Sequence, residues 1–257
     1  MPDSNRVIFE NDACLVINKL PGEASECSGL VDAAAEEPKA GVAQELFPVH
    51  RLDTPVSGCL LLARTREAAA FLSAAFSAQG RVKKRYWAIV EKPAAAEERF
   101  LQTGEASIEL VHWLSENKKL NKSFAARDAA GQGAGDHIAG DCRASGQRKK
   151  NHNSKPKKAI LRYRLAGQGD NYLFLEIDLV TGRHHQIRAQ LAAEGLHVKG
   201  DLKYGARRSE KGGGIRLHAF SLAFPNPLNR GETIRISAPP PLMDTLWQAF
   251  QSNTGIL

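Results

Sequence analysis

One short segment places a carboxylate directly after two basic side chains and just before an apolar stretch. It runs VHRLDTPVSG over 49–58 and contains His50, Arg51 and Asp53. Nearby positive charge keeps a carboxylate ionised even when it is partly removed from water. An ionised carboxylate is what nucleophilic catalysis at a sugar or a base requires. Charged residues at the entrance of a strand also form ordinary structural salt bridges, and this segment alone leaves both interpretations open.

A second segment, TGRHHQIRAQL from Thr181, collects basic side chains around an expected helix start. We predict a helix over about 183–194, closed by Gly195, whose first turn carries Arg183, His184 and His185. Cations there oppose the helix macrodipole, whereas free backbone N–H groups beside them form a natural phosphate site. On this helix His184 and Arg188 share a face.

The two adjacent histidines raise the question of a metal site. Neighbouring residues on a helix point about 100° apart, and no acidic or cysteine partner lies at ligand spacing from them. We therefore expect no metal at this position.

Two further stretches have a composition suited to RNA. KKRYWAIV over 83–90 combines three cations with Tyr86 and Trp87, a mixture that can stack a base and hold its phosphate, although aromatic-rich strands are also common in cores. Residues 121–158 are polar and basic, and we predict a mobile insertion loop there. Its later part has no acidic residue and includes Lys149, Lys150, Lys157 and Lys158. It is either a solvated loop or an electrostatic clamp on phosphates.

These segments need a scaffold, which the hydrophobic pattern predicts to be of the α+β class. Short apolar or alternating runs predict strands over 13–18, 58–63, 85–91, 172–180, 216–224 and 232–237. We predict a helix after Thr65, its N-cap, that ends at Gly80, and a last amphipathic helix that carries Leu242, Leu246 and Phe250. Because strands outnumber helices and the connections are short, we expect a mixed, largely antiparallel sheet with flanking helices.

The bulk properties fit a basic enzyme of ordinary composition. The chain has 257 residues, 42% hydrophobic content and a formal charge of +7, which favours a polyanionic partner without proving one. The four cysteines form no C-x-x-C pair, and two of them, Cys14 and Cys59, lie in apolar runs and are expected to be buried. With no signal peptide or apolar span in the sequence, we expect a cytoplasmic protein.

Taken together, the motifs resemble the RluA family of pseudouridine synthases, in the same order and at similar spacing. HRLD at His50–Asp53, followed by Ser57-Gly58, resembles the family's HRLD-x-x-T-S-G. TGRHHQIR resembles T-G-R-x-H-Q-I-R. Three further segments resemble other family motifs: LVINKLPGEA, GDLKYG and LHAFSLAFPNP. The resemblance covers nearly the whole chain apart from the polar insertions.

The resemblance implies that the chain isomerises uridine in RNA, ribosomal or transfer, without a cofactor. Asp53 matches the catalytic aspartate, acting as nucleophile or as base on the sugar. Arg188 matches the arginine that pairs with it, and Tyr86 the tyrosine that stacks on uracil. Arg51 matches the arginine that fills the gap left by the flipped nucleotide. His50, Arg183, His184 and the lysines of the insertion are expected to contact RNA.

Two departures from the family pattern remain: Val56 stands where Thr is usual, and Gln190 where His is common. They leave open an alternative, an RNA-binding protein of the same fold without turnover. A metal-dependent nuclease that uses Asp53 is disfavoured because carboxylates are not clustered around it in the sequence. We expect one catalytic domain over 1–257, the basic insertion at about 121–158, no separate N-terminal RNA-binding domain, and a monomer.

Overall fold

A mixed sheet forms the centre of the molecule. The computed structural model describes residues 6–25, 45–93, 107–128, 154–210, 212–241 and 243–254. Within these ranges the chain forms eleven strands: β1 Val7–Glu10, β2 Cys14–Lys19, β3 Phe47–Pro48, β4 Ser57–Ala63, β5 Lys83–Glu91, β6 Ile108–Asn117, β7 Lys122–Ala126, β8 Lys157–Gln168, β9 Tyr172–Leu179, β10 Leu217–Pro225 and β11 Thr233–Ser237.

The strand order is β1-β2-β4-β10-β5-β9-β8-β6-β7, with β3 added to β4 and β11 added to β10. Among the described strands, the pairing of β10 with β4 is parallel and every other pairing is antiparallel. This confirms the α+β class and the mixed, largely antiparallel sheet.

Three α-helices pack on the described sheet: α1 Arg66–Ser77, α2 Gln186–Ala193 and α3 Thr245–Thr254. The predicted N-cap of α1 is confirmed, since the Thr65 hydroxyl accepts a hydrogen bond from the Ala68 N–H at 3.1 Å. The predicted end is wrong: the helix stops at Ser77 with Ala78 as C-cap, and Gly80, at φ +82°, serves the following turn instead. No described helix is both long and apolar enough to pass through a bilayer.

The two faces of the sheet carry different cores. Alternate residues of β9, Leu173, Leu175 and Ile177, join the largest cluster, which also contains Tyr86. Residues of the opposite face are buried as well, because α3 covers them: Trp87 stacks on Phe220 and Phe250. Period-two alternation therefore marks the two faces of β9, and the second face is also largely covered: Phe174 and Glu176 are buried, whereas Asp178 is exposed.

The region predicted as an insertion loop differs from the prediction at both ends. Residues 122–126 form β7, paired with β6, and β8 begins at Lys157. The polar composition hid these strands, because β7 is short and the first residues of β8 are lysines. Residues 129–153, including Lys149 and Lys150, lie outside the described part, as does Leu242.

Candidate active site

The loop that carries Asp53 is fixed on both sides of the aspartate. The Ser25 hydroxyl accepts a hydrogen bond from the Leu52 N–H at 3.0 Å and donates one to the Leu52 carbonyl at 2.9 Å. After the aspartate, the Val56 N–H closes a turn onto the Asp53 carbonyl at 2.9 Å. Leu52 and Val56 are buried in the main core. The backbone is thus held rigidly while the Asp53 side chain, 22% exposed, faces outward.

A buried lysine ties the N-terminal motif to the same loop. Lys19 is fully buried, and its ammonium donates hydrogen bonds to the carbonyls of Leu20, Glu23 and Thr54. Burial lowers the pKa of Lys19 to about 8, against the opposing charges of Glu23 and Asp53. Its three carbonyl partners explain why a cation is tolerated there. Lys19 therefore fixes the position of the residue next to Asp53.

Behind the loop, β4 runs unusually close to β10. Gly58 has φ +115°, and a Cβ at this position would lie 2.3 Å from the Ala219 carbonyl oxygen, so only glycine fits. Beside it, the Ser57 hydroxyl lies 2.9 Å from His218 Nδ1, and His218 Nε2 lies 2.9 Å from the Ala238 carbonyl. Burial lowers the pKa of His218 to about 4. Ser57 and Gly58 of the motif therefore serve to pack β4 against β10.

Arg188 links two carboxylates that are distant in sequence. Its Nη1 donates to Asp53 Oδ2 at 3.0 Å, while its Nε and Nη2 bind both oxygens of Asp201 at 2.6 and 2.8 Å. Asp201 is 2% exposed. Burial opposes the charge of Arg188, but the hydrogen bonds and charges of Asp201 and Asp53 outweigh it and raise the arginine pKa. The bidentate pair with Asp201 orients the guanidinium so that its remaining edge meets Asp53.

An uncharged histidine completes this arrangement. His185 Nε2 lies 3.6 Å from Asp53 Oδ2, and its Nδ1 lies 3.0 Å from the Tyr204 hydroxyl. Burial and the nearby charge of Arg188 lower the pKa of His185 to about 2, so the ring is neutral at physiological pH. The Tyr204 hydroxyl accepts in turn from the Ser123 N–H at 2.8 Å. This chain anchors the segment before α2 to β7.

Tyr86 reaches the same cleft from the other side. It projects from β5, where it pairs with Ile177 of β9, and its side chain is 9% exposed. Burial, reinforced by the negative charge of Asp53, raises the pKa of its phenol well above the usual value. Asp53, Tyr86 and Arg188 all line one cleft of about 700 Å³. Its size suits a nucleotide, and it holds a carboxylate, a guanidinium and an aromatic ring together.

Comparison with known proteins settles the family. A family model described as RNA pseudouridylate synthase matches residues 13–193. The chain belongs to this family. A tRNA pseudouridine synthase C of Haemophilus ducreyi is 31% identical to this chain, with 97% of the chain and 95% of that protein covered. A ribosomal large subunit pseudouridine synthase C of Vibrio parahaemolyticus is 29% identical, with 91% of this chain covered.

The length of these relatives differs. The chain spans 65% of the Vibrio protein and 64% of an uncharacterized RNA pseudouridine synthase of Zymomonas mobilis, which is 32% identical over 68% of this chain. Among solved structures, human RNA pseudouridylate synthase domain containing 1 has a TM-score of 0.64 at 20% identity, with 96% of this chain and 93% of that one covered. This likeness confirms the fold.

The residues predicted to contact RNA lie at different positions around the cleft. Arg51 and Arg183 line it and are exposed, and Arg183 Nε donates to the Lys158 carbonyl at 3.2 Å. Lys157 and Lys158 are exposed at the start of β8, near this rim. RNA contact by these four residues stays a prediction, as it does for Lys149 and Lys150.

The two histidines predicted to contact RNA are already engaged. His50 accepts a hydrogen bond from the Leu61 N–H at 3.0 Å and stacks on Phe76, and burial lowers its pKa to about 3. His184 lies between Ser123 Oγ at 2.9 Å and Asn121 Oδ1 at 3.1 Å. Both rings line the cleft. Burial also lowers the pKa of His184. Because both shifts favour the neutral form of the ring, we expect any contact of these residues with RNA not to depend on a charged imidazolium.

The predicted start of α2 is wrong. The helix begins at Gln186, and Arg183, His184 and His185 form the turn before it. The Gln186 side-chain oxygen accepts hydrogen bonds from the Arg183 N–H at 2.9 Å and from the Thr181 hydroxyl at 2.8 Å. His185 adopts the left-handed conformation at φ +51°, which ends any helical path through it. His184 and Arg188 therefore do not share a helix face.

The two departures from the family motif lie in different surroundings. Val56 is buried at the wall of the cleft. Gln190 is fully buried, and its Nε2 lies 3.1 Å from the Leu110 carbonyl and 3.3 Å from the Ala159 carbonyl. Gln190 does not line the cleft. It joins α2 to β6 and β8, so this departure affects packing away from the cleft that contains Asp53.

Sequence reasoning missed three residues that position the site. Asp201 and Tyr204 both belong to the GDLKYG segment, and Lys19 to LVINKLPGEA. These segments carried a resemblance, but nothing in their composition assigned a role to a single side chain. The signal was a polar residue inside each motif that pairs with a cation or carbonyl far away in sequence, and such pairing becomes visible only in three dimensions.

Proposed function

We propose that this protein isomerises uridine in RNA to pseudouridine without a cofactor, with Asp53 as the catalytic carboxylate. The observation that carries the proposal is the joint placement of Asp53, Arg188 and Tyr86 in one open cleft. Membership of the pseudouridylate synthase family supports it.

The geometry suits a carboxylate that acts on the sugar. Both contacts of Asp53, with Arg188 and with His185, involve Oδ2. Oδ1 accepts no hydrogen bond from any residue in the described ranges. Arg188 thus holds one oxygen of a side chain that lines the cleft and leaves the other oxygen available to a substrate. Oδ1 either attacks carbon 1′ of the ribose or removes a proton from the sugar.

The isomerisation is balanced without an added reactant. The bond between uracil N1 and ribose carbon 1′ breaks, the base turns, and carbon 5 forms the new bond to carbon 1′. The proton on carbon 5 is lost and N1 gains one, so substrate and product have the same composition. Tyr86 offers a ring on which the released uracil can stack while it turns.

The target nucleotide has to leave its stack before it enters the cleft. Extrusion of a base costs a few kcal/mol, which cationic contacts to the RNA backbone offset. Arg51 and Arg183 at the rim are placed for such contacts. The similarity to proteins named for transfer RNA and for the ribosomal large subunit supports either kind of RNA as substrate.

The test is release of tritium from RNA labelled at carbon 5 of uridine. Wild-type protein should release tritium from transfer or ribosomal RNA of cells that lack the gene, and Asp53→Asn should release none while it binds RNA within a few-fold of wild type. If folded wild-type protein releases no tritium but still binds RNA, the protein is a binding module of this fold. Strand cleavage that a chelator blocks would instead indicate a nuclease.

A further inference from the structure

A second cleft of about 630 Å³ opens beside the first. It is formed by the beginning of β5, the end of β9 and the facing parts of β10 and β11. The two clefts share a wall made of Gly80, Val82, Lys84, Leu179 and Val180. The two clefts are therefore adjacent at the ends of β5 and β9, so a flexible chain that leaves the first lies beside the second.

Cross-strand register explains the shape of this second cleft. Its floor consists of small side chains from β10 and β11: Ser221, Ala223 and Ser237. Lys83 and Arg235 are both paired with Ala223, one on each side, so they flank the floor from opposite sides. Ser221 is likewise paired with Arg85. Small residues between long cationic ones leave a groove with positive walls.

The second cleft has an excess of positive charge. Its lining contains five cations, Lys83, Lys84, Arg85, Arg162 and Arg235, against one carboxylate, Asp178. Arg85 pairs with Asp178 at 3.0 Å, and Arg162 pairs with Glu109 at 2.8 Å. The side chains of Lys83, Lys84 and Arg235 form no ion pair or hydrogen bond with any described residue.

Lys84 stands at the junction of the two clefts. It is half-buried, and burial lowers the pKa of its ammonium. An ammonium that has lost part of its water and has no anion beside it gains more from a phosphate than a fully solvated lysine does. A lysine that served only as a solvated surface charge would not need to be half-buried.

We propose that the second cleft binds the phosphodiester backbone of the RNA strand as it leaves the active-site cleft. The strand passes Lys84 at the junction and then runs between Lys83 and Arg235. This rests on the proposed function, because it takes the first cleft to hold a uridine of RNA. Leu222 and Ile236 also line the cleft, but they alternate with the floor residues and pack into the core on the other face of the sheet. The floor itself therefore offers no large apolar anchor of the kind that the centre of a protein–protein interface has. Single-stranded nucleic acid, in contrast, follows positively charged grooves.

The experiment compares short and long RNA. Fluorescent oligouridylates of about 5 and about 15 nucleotides, chosen to fill one cleft or both, are titrated with wild-type protein, Lys83→Glu and Arg235→Glu. The matched control is Arg208→Glu. Arg208 is exposed and forms no ion pair or hydrogen bond within the described ranges. Arg208 follows Arg207, whose N–H donates a hydrogen bond to Glu91 at the far end of β5. Glu91 lies roughly 25 Å from Lys83, as the rise per residue along the strand gives, so Arg208 is remote from the second cleft.

We expect each cleft variant to raise the Kd for the long RNA by about 3- to 10-fold at low salt and to leave the short RNA within 2-fold. The slope of log K against log salt should fall by about 0.7 for each phosphate contact removed. Arg208→Glu should change neither. With an RNA that the wild type isomerises, the cleft variants should raise KM and keep kcat.

An unchanged Kd and salt slope for the long RNA in the cleft variants would overturn the proposal. An equal loss of affinity for the long RNA in Arg208→Glu would also overturn it, because it would indicate a general charge effect. The same proteins are also titrated with poly-glutamate. If the cleft variants lose binding to poly-glutamate and keep binding to RNA, the proposal is overturned and an acidic protein partner is indicated. The RNA-binding measurements do not require that the protein isomerises uridine. If the wild type releases no tritium, the proposed function fails while the long and short RNAs still decide the role of the second cleft.

Discussion

Asp201→Asn is the perturbation that most directly tests how the site is built. Asp201 is buried, and both of its oxygens accept charge-assisted hydrogen bonds from Arg188 at 2.6 and 2.8 Å. Asparagine keeps the shape and one acceptor, but it turns the other acceptor into a donor that faces a guanidinium N–H. Breaking a buried ion pair costs about 3–5 kcal/mol. Because Arg188 keeps Asp53 as a partner, we expect the lower end, about 3 kcal/mol of unfolding free energy.

The same change should reduce turnover more than binding. Without Asp201 the Arg188 guanidinium is no longer oriented, and a displacement of about 1 Å in a catalytic group costs about 100-fold in rate. We therefore expect kcat to fall by about that factor with KM nearly unchanged, since no group that contacts the RNA has been removed.

The assay is urea unfolding together with tritium release, and the matched control is Asp178→Asn. Asp178 also pairs with an arginine, Arg85, but its side chain is 58% exposed, so its loss should cost less than about 1 kcal/mol and leave kcat intact. If Asp201→Asn matches this control in both unfolding free energy and kcat, the orientation of Arg188 by Asp201 has no part in the site.

Three further changes have defined outcomes. Tyr86→Ala should raise KM by about 5- to 150-fold, the value of one base–aromatic stack, whereas Tyr86→Phe should keep KM within 2-fold; equal KM values for the two variants would exclude stacking. The unfolding free energy should fall on acidification below about pH 6.5. The reason is that His50, His185 and His218 have pKa values of about 3, 2 and 4 in the folded protein and bind protons near pH 6.5 once unfolded, so each contributes up to about 2 kcal/mol by pH 5. Urea titrations at pH 7 and pH 5 measure this difference, which His218→Gln should reduce by about a third and which a pH-independent stability would contradict. Neutralising the four lysines named in the basic stretch (Lys149, Lys150, Lys157 and Lys158) should weaken RNA binding and flatten its salt dependence, and an unchanged salt slope would leave them as solvated surface charges.

Much of the fold followed from local pattern. The apolar strand after Asp53, the Thr65 cap and the alternation in β9 depend on neighbours along the chain, so periodicity and capping rules predicted them. The strands β6, β7 and β8 were missed because β7 is short, β8 begins with lysines and apolar residues do not mark one face of β6 and β7, where Val111 and Phe124 are exposed. These strands are stabilised by pairing with one another and with β9. Local propensity is weak where cross-strand pairing decides the structure.

The site divides in the same way. Residue types and the resemblance to a known family together singled out Asp53, Tyr86 and Arg188 as candidate site residues and suggested their roles. They were not enough to place Asp201 behind Arg188, because a contact across thirteen residues and a turn is set by the tertiary fold. Nor did they show that His184 and His185 precede the helix, since the left-handed backbone at His185 depends on side-chain hydrogen bonds around Gln186.

The sequence by itself determined which groups are present, the charge of the chain and the family motifs that contain the carboxylate, the arginine and the tyrosine. The tertiary structure decided which of those groups are charged, which are paired and which face the cleft, because burial and partners from distant strands set these properties. It also brought cations of β5, β8 and β11 into one groove, because the sheet places these strands side by side in a fixed register.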